Sequence, residues 1–208
     1  DLHGTKHSFP TRRSSDLSTA GFFFFCEIIK KTFSQHSGVK ITMIDFSKGY
    51  SLEEYFRKGY EEERDRQKRA CERTVFSPEF EEAVKRVKQP VNLAAFAEIY
   101  CPDTVVAMPF VKRTADLNPL IRLAVFERDP WVKELEAFTG AARIPTLLFF
   151  DEDMNLRGKY VELPDGLKDE MRDADQGERS TMTLEYRRGK YNGLIQEQFI
   201  SILAAFSS

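Results

Sequence analysis

The chain has 208 residues, and its 31 Lys and Arg against 33 Asp and Glu give a formal net charge of −2. This balance lacks the positive excess typical of nucleic-acid-binding proteins, and no apolar run reaches the roughly 18 residues that a membrane-spanning helix needs. Composition therefore predicts no nucleic-acid partner and no membrane partner, and the length suits one ordinary domain with its own core.

The amino end of the sequence is predicted to be foreign to the protein. Residues His7–Leu17 (HSFPTRRSSDL) back-translate, codon by codon, to a string that resembles a common sequencing-library adapter. A segment of this kind carries no information about the fold. Residues 18–42 include an apolar stretch, GFFFFCEII, that is short for a signal peptide and has no small-residue cleavage site after it. We therefore expect residues 1–42 to be a non-native leader and Met43 to be the natural start.

Without that leader, the possible chemistry is narrow. All three histidines lie before Met43, and only Cys71 and Cys101 remain after it, with a net charge of about −5. Residues 43–208 therefore contain no Ser-His-Asp or Cys-His nucleophile and no His-ligated zinc site, and we predict no cofactor and no metal. Two cysteines far apart do not form a disulfide framework, which favours a reducing, cytoplasmic setting.

The first elements after the leader are predicted to be helices, which form an extension over residues 43–90. Ser51 and Glu54 form a capping box. An apolar stripe follows at helical spacing, at Leu52, Tyr55, Phe56 and Tyr60. We expect the charged continuation, residues 61–73, to be a solvated helix face. A further helix begins at the cap Ser77, with a proline in its first turn.

From residue 91 the pattern changes to alternating strands and helices. Residues 91–100 and 120–127 are apolar on both alternations, which is typical of strands buried on both faces. Helices are predicted over 103–115 and after the cap Asp129, ending at Gly140. The remaining predictions are a strand from 146, a turn at Asp151–Asn155, a partner strand at 157–163, a polar loop at 164–180 and a final helix with Ile195, Phe199, Ile202, Leu203 and Phe206 on one face. This order predicts an α/β domain over 91–208.

Three features, in this order along the chain, resemble those of thioredoxin-fold proteins. A buried strand runs into residues 101–104 (CPDT) at a helix start, where that family has Cys-x-x-Cys. Pro109 lies where the family has a helix-kinking proline, and residues 143–146 (RIPT) precede the third strand, where it has a cis-proline loop. The likeness implies a central mixed sheet of about four strands flanked by helices. The added helices and the polar insertion near 164–180 resemble a bacterial subgroup of thioredoxin family proteins with a variable active-site motif.

By this resemblance, Cys101 is the candidate nucleophile. The thiolate is the reactive form of cysteine, and the free N–H groups and dipole at a helix start favour an anion there. Pro102 occupies a position where its missing N–H costs nothing. Asp103 is expected to disfavour the thiolate through like-charge repulsion. We therefore expect only modest activation of Cys101.

Thr104 stands where the family has its second cysteine. It cannot resolve a mixed disulfide, but its hydroxyl is expected to donate a hydrogen bond to the Cys101 thiolate. Exchange with a small-molecule thiol or a protein disulfide partner therefore stays open, as does a reversible sulfenic acid. Cys71 is expected to be a bystander, because a disulfide needs two Cα atoms within about 7 Å.

The substrate-binding residues are also predicted from the resemblance. It implies that Pro145 is cis and that the backbone of Ile144 pairs with an extended substrate; the other possibility is a trans proline that only begins a strand. Tyr100 either flanks a substrate groove or caps the end of its strand. The predicted substrate-binding set is Tyr100, Pro102, Asp103, Ile144 and Pro145.

Two functions are open at this point. The first is a cytoplasmic, thiol-based redox protein of monothiol type, in which Cys101 exchanges disulfides or mixed disulfides with support from Thr104. Whether such a protein is an enzyme stays open. The second is a redox-inactive thioredoxin-like binding module, whose groove between Tyr100 and Pro145 recognises a peptide.

Overall fold

The computed structural model describes residues 44–208, so the predicted leader, residues 1–42, lies outside the described residues. Three helices come first: α1 (Leu52–Phe56), α2 (Glu61–Arg73) and α3 (Pro78–Lys85). The central elements are β1 (Val91–Phe96), α4 (Pro102–Leu117), β2 (Ile121–Phe126), α5 (Val132–Thr139), β3 (Thr146–Phe150) and β4 (Leu156–Val161). The chain ends with α6 (Asp165–Glu170), α7 (Gln176–Arg187) and α8 (Asn192–Leu203).

The strands form one mixed sheet with the order β2-β1-β3-β4. β1 pairs in parallel with β2, and the β1–β3 and β3–β4 pairs are antiparallel. Every residue of β1 and β3 is buried, because these two strands are central and covered on both faces. The prediction of a mixed sheet of about four strands flanked by helices is confirmed.

The two faces of the sheet carry separate apolar clusters, which explains why β1 is apolar on both alternations. Leu93 and Ala95 belong to the larger cluster, and Ala94 and Phe96 belong to the smaller one. In the larger cluster, the ring of Phe199 on α8 lies within about 6 Å of four aromatic rings, those of Phe80, Phe110, Phe149 and Tyr160. α8 is therefore part of the main core.

The segment before α1 covers the open edge of β2. The N–H of Tyr50 donates to the carbonyl of Val125 at 2.7 Å, and the N–H of Val125 donates back at 2.9 Å. Gly49 permits this close approach, since a Cβ at that position would lie 2.7 Å from the Cβ of Ala124. The segment thus adds a one-residue bridge to an otherwise unpaired strand edge.

The helical extension matches its prediction except at Tyr60. The Ser51–Glu54 capping box and the Ser77 cap are both present. The stripe stops at Phe56, because the chain turns at Gly59 (φ 76°) and leaves Tyr60 81% exposed. α2 is mostly solvated as expected, but it packs against α4 and buries Gln67.

One predicted helix start was wrong. Residues Asp129–Trp131 form a 3₁₀ turn, and α5 begins after it at Val132. Asp129 caps no helix, because it lies inside this turn; its Oδ1 accepts from the Arg128 guanidinium at 2.8 Å and 3.0 Å. The predicted end is confirmed: Gly140 adopts φ 81° and its N–H donates to the Glu136 carbonyl.

The polar loop predicted at residues 164–180 was also wrong. This segment contains α6 and the first turn of α7. α7 begins with a capping box between Asp175 and Glu178, which both hydrogen bonds confirm. That sequence pattern, followed by Met182 and Tyr186 at helical spacing, could have identified the helix.

Within residues 44–208, none of the helices is both long enough and apolar enough to cross a membrane.

Candidate functional site

Cys101 lies at the amino end of α4, directly after the loop that leaves β1. It is the N-cap residue of the helix, and its carbonyl accepts from the N–H of Val105 at 3.1 Å. Its own N–H donates to the Glu98 carbonyl at 3.0 Å, which fixes the loop before it. Pro102 follows in the first turn and is exposed. Cys101 itself is only 9% exposed.

The predicted proline loop lies against this cysteine. The peptide bond between Ile144 and Pro145 is cis, and the Cys101 Sγ lies 3.9 Å from the Ile144 carbonyl oxygen. The Pro145 carbonyl accepts from the N–H of Glu162 at 2.7 Å, which ties the loop to the end of β4. The fold therefore places Cys101 beside a loop that follows it by 43 positions in the sequence.

Tyr100 projects beside the site and is 54% exposed. It lines a cavity of about 270 Å³ together with Tyr50, Tyr60 and Glu98. Burial, as the largest effect, raises the pKa of the Glu98 carboxyl. Neither Cys101 nor Pro145 lines this cavity, so both roles of Tyr100 stay predictions.

Asp103 does not act as the lone charge that the sequence indicated. Both of its carboxylate oxygens accept from the Arg187 guanidinium, at 2.7 Å and 3.0 Å, and Asp103 is only 8% exposed. The hydrogen bonds to Asp103 are also the main reason why the pKa of Arg187 is raised. The expected repulsion of a thiolate is therefore offset by a cation at the same turn. Each oxygen accepts one hydrogen bond from Arg187 and can accept another, so contact between Asp103 and a substrate stays a prediction.

Two buried tyrosines hold the same turn from behind. The hydroxyls of Tyr160 and Tyr186 lie 2.9 Å apart. The Tyr186 hydroxyl oxygen also lies 3.4 Å from the carbonyl oxygens of Asp103 and Glu162, either of which can accept its one hydrogen. Burial raises the pKa of both hydroxyls, so they stay protonated donors. This network joins α4, β4 and α7.

Thr104 does not have its predicted hydrogen bond. Its side chain is fully buried, and Oγ1 has no hydrogen-bond partner within residues 44–208. The expectation that this hydroxyl bonds the Cys101 sulfur was therefore wrong for the structure described. The sulfur instead makes its polar contact with the Ile144 carbonyl on the opposite element.

A sequence-family model described as "Thioredoxin" matches residues 49–176. The chain belongs to the thioredoxin family. The match spans α1 to the start of α7, so it includes Cys101, the cis-proline loop and most of the amino-terminal helices. No curated protein sequence matches the chain at a significant level.

Solved structures show the same fold for this thioredoxin-family chain. A protein of unknown function, PA1234 from Pseudomonas aeruginosa, matches with TM-score 0.66 and 21% identity, over 77% of this chain and 95% of that one. An HIV epitope scaffold matches with TM-score 0.65 and 21% identity over the same shares. A domain of the alkylhydroperoxide reductase AhpF from Enterococcus faecalis matches with 19% identity over 45% of this chain and 47% of that one. Its TM-score of 0.37 is too low to indicate a shared fold.

Arg187, Tyr160 and Tyr186 are the residues that sequence reasoning missed in this thioredoxin-family site. They lie outside the CPDT and RIPT segments, and Arg187 is 84 positions from the carboxylate it binds. Cys71 is half-buried on α2, and burial raises the pKa of its thiol. Its role as a bystander stays a prediction.

Proposed function

We propose that the protein is a monothiol redox protein that exchanges disulfides through Cys101. The observation that carries this proposal is the position of Cys101 at the start of α4, with Sγ 3.9 Å from the Ile144 carbonyl and a cis-proline next to it. An extended partner whose backbone paired with Ile144 would bring its own sulfur to Cys101. The partner is a protein disulfide or a small-molecule disulfide.

The exchange needs only one cysteine and a second thiol from solution. The Cys101 thiolate attacks one sulfur of the partner disulfide; a bond forms between these two sulfurs, and the second partner sulfur leaves as a thiolate that takes up a proton. A small-molecule thiolate then attacks the partner sulfur of the mixed disulfide, and Cys101 leaves as a thiolate. The net result is one partner thiol and one new disulfide. A cytoplasmic thiol pool would supply the second thiol.

The surroundings of Cys101 favour moderate activation. The helix start stabilises an anion by about 0.3–1 kcal/mol. The ion pair between Asp103 and Arg187 removes most of the opposing charge. Thr104 supplies no second sulfur, so the mixed disulfide waits for a thiol from solution.

The test is adduct formation at Cys101. In a Cys26→Ser/Cys71→Ser background, which leaves Cys101 as the single thiol, the protein is incubated with oxidised glutathione and analysed by intact mass spectrometry. We expect one mixed disulfide, absent when Cys101→Ser is added to this background, and alkylation by iodoacetamide at pH 7 faster than that of free cysteine. No adduct, together with alkylation slower than that of free cysteine, would refute the proposal.

A second candidate function is a redox-inactive binding module. The observations in its favour are the 9% exposure of Cys101 and the tyrosine-lined cavity next to it. A peptide partner selected by pull-down or display would then bind the wild type and Cys101→Ser equally, but bind Tyr100→Ala at least about tenfold more weakly, because exposed aromatic anchors dominate such interfaces. Equal binding to Tyr100→Ala would argue against this function.

A further inference from the structure

α2 carries a row of arginines along one side. Arg66, Arg69 and Arg73 are spaced three and four residues apart, which places them on one helix face. This face borders a cavity of about 330 Å³, whose other wall includes Arg187 and Arg188 at the end of α7. We call this cavity the arginine cleft, and its remaining lining residues are Ala70, Thr74, Val105, Val106, Gly189 and Asn192.

The positive charge of the arginine cleft is mostly uncompensated. Arg69 lies 3.8 Å from Asp65, and Arg187 is paired with Asp103. No ion pair within 4 Å involves Arg66, Arg73 or Arg188 among residues 44–208, and no acidic residue lines the cavity. Three net positive charges therefore meet in one concave surface of a chain whose overall charge is negative.

The amino end of α8 adds positive electrostatic potential to that of the arginines. Asn192, the first residue of this 12-residue helix, lines the cleft, so the positive end of the helix dipole lies at its wall. The N-cap residue Tyr191 makes no side-chain cap, and the first turn contains no acidic residue. The N–H of Asn192 donates to the Gly189 carbonyl at 3.2 Å, so what the helix start contributes to the cleft is the positive end of its dipole, with no carboxylate to neutralise it.

We propose that the arginine cleft binds a small polyanion with clustered anionic oxygens, either a polyphosphate or a polycarboxylate. Guanidinium groups bind both through paired N–H donors, and several converging arginines select ligands with two or more negative charges. A volume of about 330 Å³ is at the small end of the range of small-molecule sites. This binding does not depend on the redox chemistry proposed for Cys101.

The test is isothermal titration calorimetry of the full chain at low ionic strength, with pyrophosphate in one arm and citrate in the other. We expect saturable one-to-one binding of at least one probe, weakened at least about tenfold in Arg66→Gln/Arg73→Gln. The matched control is Lys68→Gln/Arg122→Gln, which removes the same charge from exposed positions outside the cleft and should retain affinity within about threefold. Arg188→Gln, on the other wall, should also weaken binding and serves if the double variant does not fold.

Each outcome supports or overturns the proposed anion binding. Binding of pyrophosphate alone identifies the phosphate source, and binding of citrate alone identifies the carboxylate source. The proposal is overturned if neither probe binds saturably at millimolar concentration, or if the control pair weakens binding as much as the cleft variants do, because diffuse attraction would then explain it. Formation of the Cys101 adduct is measured in the same variants, so that loss of anion binding is separated from loss of redox function.

Discussion

The two sides of the first turn of α4 are held very differently. On the side that faces the cis-proline loop, which we call the front, the Cys101 sulfur has one long polar contact, 3.9 Å to the Ile144 carbonyl oxygen. On the side that faces α7, which we call the back, the Asp103 carboxylate accepts two charge-assisted hydrogen bonds from Arg187. The Asp103 carbonyl lies 3.4 Å from the Tyr186 hydroxyl. The difference indicates that the back fixes the position of the helix start, while the sulfur keeps only a weak bond that a substrate can replace.

The largest expected effect is a loss of stability at high pH. Burial raises the pKa of Tyr160 and Tyr186 in the folded protein, whereas an unfolded tyrosine ionises near pH 10. Their contribution is complete below pH 10 and is lost as the pH rises further. From pH 10 to pH 11 we expect their contribution to the free energy of unfolding, measured by urea denaturation, to fall by up to about 2 kcal/mol.

Tyr186→Phe separates this effect from general base denaturation. The variant should lose up to about 1 kcal/mol of the fall between pH 10 and pH 11, while Tyr160 and the buried Tyr55, whose pKa burial also raises, keep the rest. It should show the wild-type slope between pH 6 and pH 8, where no tyrosine titrates. If the free energy of unfolding falls with pH above pH 10 as steeply as in the wild type, water reaches the Tyr186 hydroxyl in the folded protein.

A smaller loss is expected when the ion pair is broken. Arg187→Gln leaves the Asp103 carboxylate buried and unpaired, which should lower the free energy of unfolding at pH 7 by about 1–2 kcal/mol; the value is reduced because Arg187 is 37% exposed. Formation of the Cys101 adduct should also slow, because a negative charge beside the sulfur is no longer offset.

The matched variant is Asp103→Asn/Arg187→Gln. It removes both charges together and should recover most of the stability and the adduct rate. If the double variant is as slow as the single one, the pair acts on Cys101 through position and not through charge.

The smallest effect is expected at Thr104, between the two sides. Because its buried Oγ1 has no partner within the described residues, Thr104→Val should change the free energy of unfolding by less than about 0.5 kcal/mol, or stabilise the fold slightly. The alkylation rate of Cys101 should stay within about twofold of wild type. A fall of about fivefold or more would show that the hydroxyl supports the thiolate after all.

Sequence reasoning found the front of the site and missed the back. Cys101, Ile144 and Pro145 lie in short segments with a local pattern, strand to helix and loop to strand, so their neighbourhood follows from the order of elements. Arg187 and Tyr186 lie on α7, in a polar stretch whose partners are set only by how α7 packs against α4. The hydroxyl direction of Thr104 likewise depends on tertiary packing.

The bridge between Tyr50 and Val125 has a consequence for self-association. β2 is the outer strand of the sheet, and its buried apolar side chains would make an exposed edge a template for strand addition by another copy. The segment around Gly49 therefore covers this edge and prevents edge-to-edge aggregation. A bulkier residue at position 49 would displace the segment from the sheet. Solubility during refolding, more than activity, is the property that this glycine protects.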